Sequence, residues 1–222
     1  MIDSILNDIE LRTLGCLIEK QITTPDYYPM TLNALTNACN QKNNREPVVT
    51  FEETTVVRGL DGLREKKLIS TVTGAGIRVQ KYRHNFDETF ALSRPEVTLM
   101  CLLMLRGPQT IGELRTRSGS MYSFEIIADV ETLLNGLAAR ELRPLTKRLP
   151  RQPGQKEARF CHMLAGLPEI AQTESSPPPE PATLQVRAEN ERIAALEHQV
   201  RTLSTKMTEL QLQFDAFKKQ FE

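Results

Sequence analysis

The sequence predicts an α+β, mainly helical fold, and three observations carry that prediction. The chain repeats itself: Leu60-Asp61-Gly62-Leu63-Arg64-Glu65-Lys66-Lys67-Leu68 returns as Leu134-Asn135-Gly136-Leu137-Ala138-Ala139-Arg140-Glu141-Leu142. Upstream, Thr31-Leu32-Asn33-Ala34-Leu35 answers to Thr110-Ile111-Gly112-Glu113-Leu114, and Glu10 to Leu17 answers to Glu96 to Leu103. Composition then breaks at Gln172, where Thr173-Glu174-Ser175-Ser176-Pro177-Pro178-Pro179-Glu180-Pro181 is too polar and proline-rich to pack. Beyond the break, apolar residues recur every seven positions. Three helical segments followed by a basic, hairpin-like stretch, occurring twice, make the winged-helix plan in tandem. The reading is therefore two tandem winged-helix domains followed by a proline-rich linker and a C-terminal coiled-coil helix. Its expected bounds are 1–90, 91–171, 172–183 and 184–222.

Each element has a local cause. Asn7 and Glu10 stand in capping-box relation and start a helix to about Lys20, with Ile9, Leu11, Leu14, Leu17 and Ile18 as its apolar face. Two prolines and Asp26 make residues 21–30 a loop. Thr31 opens a short helix to about Cys39. Thr50, with Glu53 completing another box, opens a third to about Lys67. Ser70–Thr73 and Ile77–Gln80 are β-prone, and Gly74-Ala75-Gly76 joins them as a hairpin. In the second unit, Ser93 and Glu96 box the first helix, with Pro95 in its first turn. Thr110 and Glu113 cap the next, and Ser123 to Arg140 forms the third. A longer, less regular hairpin lies between Leu142 and Leu164.

In the C-terminal segment Val186, Ile193, Val200, Met207 and Phe214 occupy one heptad position, and Leu196, Leu203, Leu210 and Phe217 the complementary one. β-branched residues at early a positions with Leu at d favour a parallel two-stranded coil, so a homodimer through this helix is expected. The competing reading is a single helix folding back on its own domains.

Net charge is zero, with 28 basic and 28 acidic residues, so any nucleic-acid role must come from local patches rather than a general basic field. The candidate recognition helices argue against groove reading. Residues 50–68 hold as many acids as bases, and Ser123 to Arg140 sets Glu125, Asp129 and Glu131 against Arg140 alone. Acids at the groove oppose the phosphate attraction that supplies non-specific affinity. The hairpins differ. Arg78, Lys81, Arg83 and His84 carry no acid among them, and Arg143, Lys147, Arg148, Arg151, Lys156 and Arg159 face only Glu157. Lys42, Arg45 and Arg58 can add to such a patch. The bland alternative is that exposed hairpins are charged for solubility.

Catalysis finds little support. His84, His162 and His198 lie in different elements. Cys161-His162 reads as a core thiol beside a surface imidazole rather than a nucleophilic pair. Gly74-Ala75-Gly76 lacks the helix and lysine of a phosphate-binding loop. Cys16, Cys39, Cys101 and Cys161 are too scattered for zinc or a redox pair, so no metal, cofactor or enzymatic activity is expected. The N-terminus has no signal-peptide pattern, and no stretch approaches the roughly 18 apolar residues of a membrane span. A cytoplasmic setting without membrane contact is the simplest expectation.

Two long strings resemble a known family. Leu11-Arg12-Thr13-Leu14-Gly15-Cys16-Leu17-Ile18-Glu19-Lys20 and Thr23-Thr24-Pro25-Asp26-Tyr27-Tyr28-Pro29-Met30-Thr31-Leu32-Asn33-Ala34-Leu35 look like the opening of the YceH family of uncharacterised bacterial proteins. Cys39-Asn40-Gln41-Lys42-Asn43-Asn44-Arg45 and Leu92-Ser93-Arg94-Pro95-Glu96 match it too, so the resemblance spans roughly residues 5–165. It implies tandem winged helices in a bacterial cytoplasmic protein and transfers no catalytic or binding residue. The leading functional expectation is a dimeric regulator that associates with double-stranded DNA through basic wings. The rival is a protein-interaction adaptor that uses the same domains and coil to hold a protein partner.

Overall fold

The computed structural model describes residues 5–73, 79–141, 143–151 and 154–166. The linker and heptad segment lie outside these residues, and so do Arg78 and the expected hairpin turn at 74–76. The described chain is α+β, with two small antiparallel sheets. Its first half runs α1 (Asp8–Thr23), a 3-10 turn (Pro25–Tyr27), β1 (Met30–Thr31), α2 (Leu32–Cys39), α3 (Glu53–Glu65), β2 (Ile69–Val72) and β3 (Lys81–His84). After the short α4 (Phe86–Phe90) come α5 (Arg94–Arg106), α6 (Ile111–Arg117), α7 (Ile127–Ala138), β4 (Thr146–Arg148) and β5 (Phe160–His162).

Three predicted capping boxes form, at Asn7/Glu10, Ser93/Glu96 and Thr110/Glu113. Each satisfies helix-end N–H groups that would otherwise lack a partner, a contribution of about 1 kcal/mol. The box expected at Thr50 does not form. Asn40 donates its side-chain amide to the Phe51 carbonyl (2.8 Å) and accepts the Phe51 N–H (2.7 Å), which binds that strand of chain to the end of α2. The third helix accordingly starts at Glu53 behind an N-cap, Glu52, that makes no capping bond. The helix expected from Ser123 likewise begins later, at Ile127, because Phe124 is buried and Arg115 holds the carbonyls of Phe124 (3.3 Å) and Glu125 (2.9 Å).

The first hairpin also corrects its prediction. Its second strand is Lys81–His84, whereas Val79 and Gln80 of the expected segment are not in a strand and residues 77–78 lie outside the described residues; Ile69 stands opposite His84 and Val72 opposite Lys81. That register turns Tyr82 and His84 inward, where an alternating strand buries every second side chain. Strand β1, just before α2, pairs with the other side of β3. The second half repeats this arrangement. Gln109, just before α6, exchanges backbone hydrogen bonds with Phe160 of β5 (3.0 and 2.8 Å) while β4 pairs with the same strand.

One continuous apolar core runs from Leu6 to Leu164. Its axis is the pair α1 and α5. Residues Glu10–Glu19 of α1 are all buried, so this helix has no solvent face and its polar side chains require partners inside. Gly15 sets the approach of the two helices: a Cβ there would lie 2.8 Å from Leu105 Cδ2 and 3.0 Å from Cγ. Cys101 Sγ donates to the Gly15 carbonyl at 3.3 Å across the same contact. We expect Gly15→Val to destabilise the protein by about 1–3 kcal/mol through overpacking, read as a lower urea midpoint at unchanged slope. A neutral substitution would mean that α1 and α5 separate at little cost.

Candidate nucleic-acid interface

The sequence-predicted cations fall into three groups. The first is exposed on the second hairpin. β4 pairs with β5 through Thr146–His162, Lys147–Cys161 and Arg148–Phe160. Thr146, Cys161 and Phe160 pack inward, so Lys147 and Arg148 are left on the solvent side. The Arg148 guanidinium lies 6.0 Å from the centroid of the Phe160 ring, a cation–π distance that steadies the head group without neutralising it. Arg151 donates to the Lys156 carbonyl (3.2 Å), and that bond ties the hairpin tip while both side chains stay exposed. Lys42 and Arg58 are also exposed, but they lie after α2 and on α3, away from this hairpin in the sequence.

The second group is engaged structurally. Arg159 bonds the Pro108 carbonyl (2.8 Å) and Glu113 Oε2 (3.1 Å), which joins β5 to the start of α6. Arg143 lies 5.5 Å from the Phe90 ring. Arg83 pairs with Glu88 at 2.6 Å, and half-buried Lys81 sits opposite Val72 and Thr31 on the strand. The first hairpin is therefore less available to phosphate than its charge count predicts.

Arg45 forms the third group and is a correction. Its side chain is 0% exposed, and it grips Glu19 with two hydrogen bonds, NH1 to Oε1 at 3.0 Å and NH2 to Oε2 at 2.6 Å. It also donates to the carbonyls of Ala38 (3.3 and 3.1 Å) and Asn44 (3.0 Å). Arg45 fastens α1 to the end of α2 and is out of reach of any phosphate. Burial opposes both charges. Glu19 nevertheless titrates below the usual carboxylate range and Arg45 above the usual guanidinium range, because each stabilises the other's ionised form.

His84 is another correction, since it is no part of a basic surface. It is buried, with Nε2 2.5 Å from Gln21 Oε1 and Nδ1 accepting the Phe86 N–H at 3.2 Å. Burial lowers its pKa to about 4 against the opposing pull of Asp87, so it is neutral at pH 7. His162 is half-buried, with its Nδ1 enclosed and without a hydrogen-bond partner; burial lowers its pKa to about 4. The expected surface imidazole beside Cys161 is thus half-buried. Its neighbour's thiol is pushed up by burial, and that pair has no activated nucleophile.

The helix surfaces carry the opposite character. On α3, exposed Arg64 is paired with Asp61 at 2.8 Å, beside exposed Glu52, Glu53 and Glu65. At the start of α7, Ile126 and Ile127 are 59% and 49% exposed next to Glu125 and Asp129, while Arg140 turns to the Phe90 carbonyl (2.6 Å). Glu125 and Asp129 also line a groove of about 450 Å³ with Tyr122, Phe124 and Leu133. The charge counts anticipate the acids. The exposed isoleucines escape notice because the expected helix starts four residues early, at Ser123, and takes Ile126 and Ile127 into its interior.

The repeated order of helices and small sheets defines a mixed α+β protein whose described helices are none of them long and apolar enough to cross a membrane. A family described as "Protein of unknown function, DUF480" matches residues 6–155. A UPF0502 protein of Geotalea uraniireducens is 56% identical over 217 residues, 98% of each chain. Another of Geobacter sulfurreducens is 53% identical over 218 residues, 98% of this chain and 99% of the relative. A third, of Aliivibrio fischeri, is 44% identical over 210 residues, 93% and 94%. The chain belongs to this bacterial DUF480/UPF0502 family, the YceH-type family that its two long strings resemble.

Proposed function

We propose that each half is a winged-helix unit, that the heptad segment 184–222 makes the protein a dimer, and that the dimer associates with double-stranded DNA through the second hairpin. The matched placement of β1 and Gln109, each a short edge pairing just before the second helix of its half, supports the winged-helix reading. One observation carries the DNA reading. Lys147, Arg148, Arg151 and Lys156 stand exposed on a single hairpin whose exposed acid is Glu157. Such a surface holds a phosphate backbone without reading bases, and dimerisation raises the effective concentration of the second contact.

Four phosphate contacts per chain predict that log K falls with log salt with a slope of roughly −4, steeper if both hairpins of a dimer engage. Replacing Arg148, Arg151 and Lys156 with Ala is expected to make that slope shallower by roughly three, measured by anisotropy of a labelled generic duplex. Absence of binding at low salt, or an unchanged slope in the triple variant, removes the reading.

A second reading is favoured by the start of α7, where exposed Ile126 and Ile127 and two acids replace the cations expected of a groove-reading helix. There the protein is an adaptor and α7 its docking face. A stoichiometric protein partner that is lost with Ile127→Asp, together with no change in DNA mobility, decides for the adaptor.

A further inference from the structure

A cavity of about 470 Å³ lies where the two halves meet, within the range of small-molecule sites and at the kind of seam where they concentrate. One wall is α1, a second is the 46–51 segment, and the third is the end of α5. Its lining has an unusual charge layout. Arg12 is buried, and its guanidinium donates to the carbonyls of Cys39 (3.3 Å) and Pro47 (2.5 Å). No carboxylate pairs with it among the described residues: of the buried acids on its helix, Glu19 is held by Arg45 and Lys20 and Glu10 by Lys66. Burial lowers the pKa of Arg12, so an added anion would relieve a cation that its surroundings disfavour.

The acids stand elsewhere on the same cavity. Asp8 is one helical turn before Arg12, and Glu46 lies on the facing segment; both are exposed. Between these opposite charges the wall is largely apolar, with Val49, Phe51 and Met104, and His162 is its remaining titratable group. A simple carboxylic acid would satisfy Arg12 and be repelled by the two acids. A simple amine would do the reverse. A molecule carrying a carboxylate and an ammonium on one carbon, with an apolar arm on the same carbon, satisfies all three surfaces.

We propose that this cavity binds a free α-amino acid with a bulky apolar side chain. Its carboxylate meets the Arg12 guanidinium, its ammonium meets Asp8 and Glu46, and its side chain lies against Val49, Phe51 and Met104. Because Met104 comes from the second half and the other contacts from the first, the ligand bridges the two halves. The site is independent of the DNA reading, and its test contains no nucleic acid.

The test is isothermal titration of the full chain with L-leucine, L-phenylalanine and L-methionine. Leucinamide and N-acetyl-leucine serve as arms that lack the carboxylate charge and the ammonium charge. At least one parent amino acid is expected to bind at a single saturable site with a Kd of ~1 mM or tighter, and each derivative at least about tenfold more weakly. Arg12 is buried in the fold, so its replacement can unfold the chain. Glu46→Gln and Asp8→Asn are the informative variants, since both side chains are exposed. Each is expected to weaken binding about threefold or more while leaving the urea midpoint nearly in place. No saturable heat from any of the three amino acids at about 10 mM overturns the proposal. So do derivatives that bind as well as their parent, or full affinity in the Glu46→Gln, Asp8→Asn double variant.

Discussion

Replacing Arg45 with Met is expected to cost about 3–5 kcal/mol of folding stability, measured by urea denaturation at pH 7. The reason is what the substitution leaves behind. Glu19 sits on a helix with no solvent face, and two of its hydrogen bonds come from Arg45. Without that partner its carboxylate must stay charged in the core with Lys20 at 3.4 Å as its remaining counter-ion, or take up a proton at a pH well above its usual range. The carbonyls of Ala38 and Asn44 lose donors as well. A domain of ordinary stability has about 5–15 kcal/mol in total, so the loss would be visible as partial unfolding near physiological temperature. Removing both charges together, Glu19→Leu with Arg45→Met, should recover much of the deficit because no ion is then stranded. A single variant costing less than about 1 kcal/mol would place the pair in effective contact with water and contradict its burial. Since Arg45 faces inward, its loss in any variant that still folds should leave the salt dependence of DNA association unchanged.

That arginine also shows what a single sequence withholds. The local signals held wherever the chemistry is local: Asn7/Glu10, Ser93/Glu96 and Thr110/Glu113 place helix starts to the residue, since a capping box is closed by side chains three apart. The signal failed at Thr50, where a partner eleven residues away, Asn40, takes the Phe51 backbone first. Arg45 and His84 failed for the same kind of reason. Each sits among polar or basic neighbours that read as surface, and each is drawn inside by residues distant in sequence, Glu19 and Gln21. The burial of Glu10–Glu19 on every side was hidden too. The apolar face of α1 was legible at helical spacing, but the opposite face becomes interior only when α5 packs across Gly15, a long-range event that no periodicity encodes. The cavity proposed for an amino acid depends on the same closure. Asp8 and Arg12 are neighbours on one helix, but Glu46, Phe51 and Met104 join them through the tertiary fold.

Acid should weaken this protein well before its carboxylates titrate. His84 and His162 are both neutral in the folded state, with pKa values lowered to about 4 by burial. In the unfolded chain each returns to about 6.5. Above pH 6.5 neither state is protonated and the histidines give no pH dependence. Between pH 6.5 and 4 the unfolded chain takes up protons that the folded chain refuses, so stability falls as the pH drops. By pH 5 the loss is about 2 kcal/mol for each histidine, and below pH 4 it levels off near 3 kcal/mol each as the folded state protonates too. Asp87 (3.5 Å from His84 Nδ1) and Glu88 favour the charged imidazole while Arg83 opposes it; Asp8 favours it at His162. Burial outweighs these carboxylates at both sites. Urea midpoints followed from pH 7.5 to 4 test this directly. His162→Leu, which removes one titrating group, should reduce the slope by about half. A midpoint that holds constant from pH 7 to pH 5 would show that both imidazoles protonate in the folded state without penalty, and would sink the claim that they are buried as neutral rings.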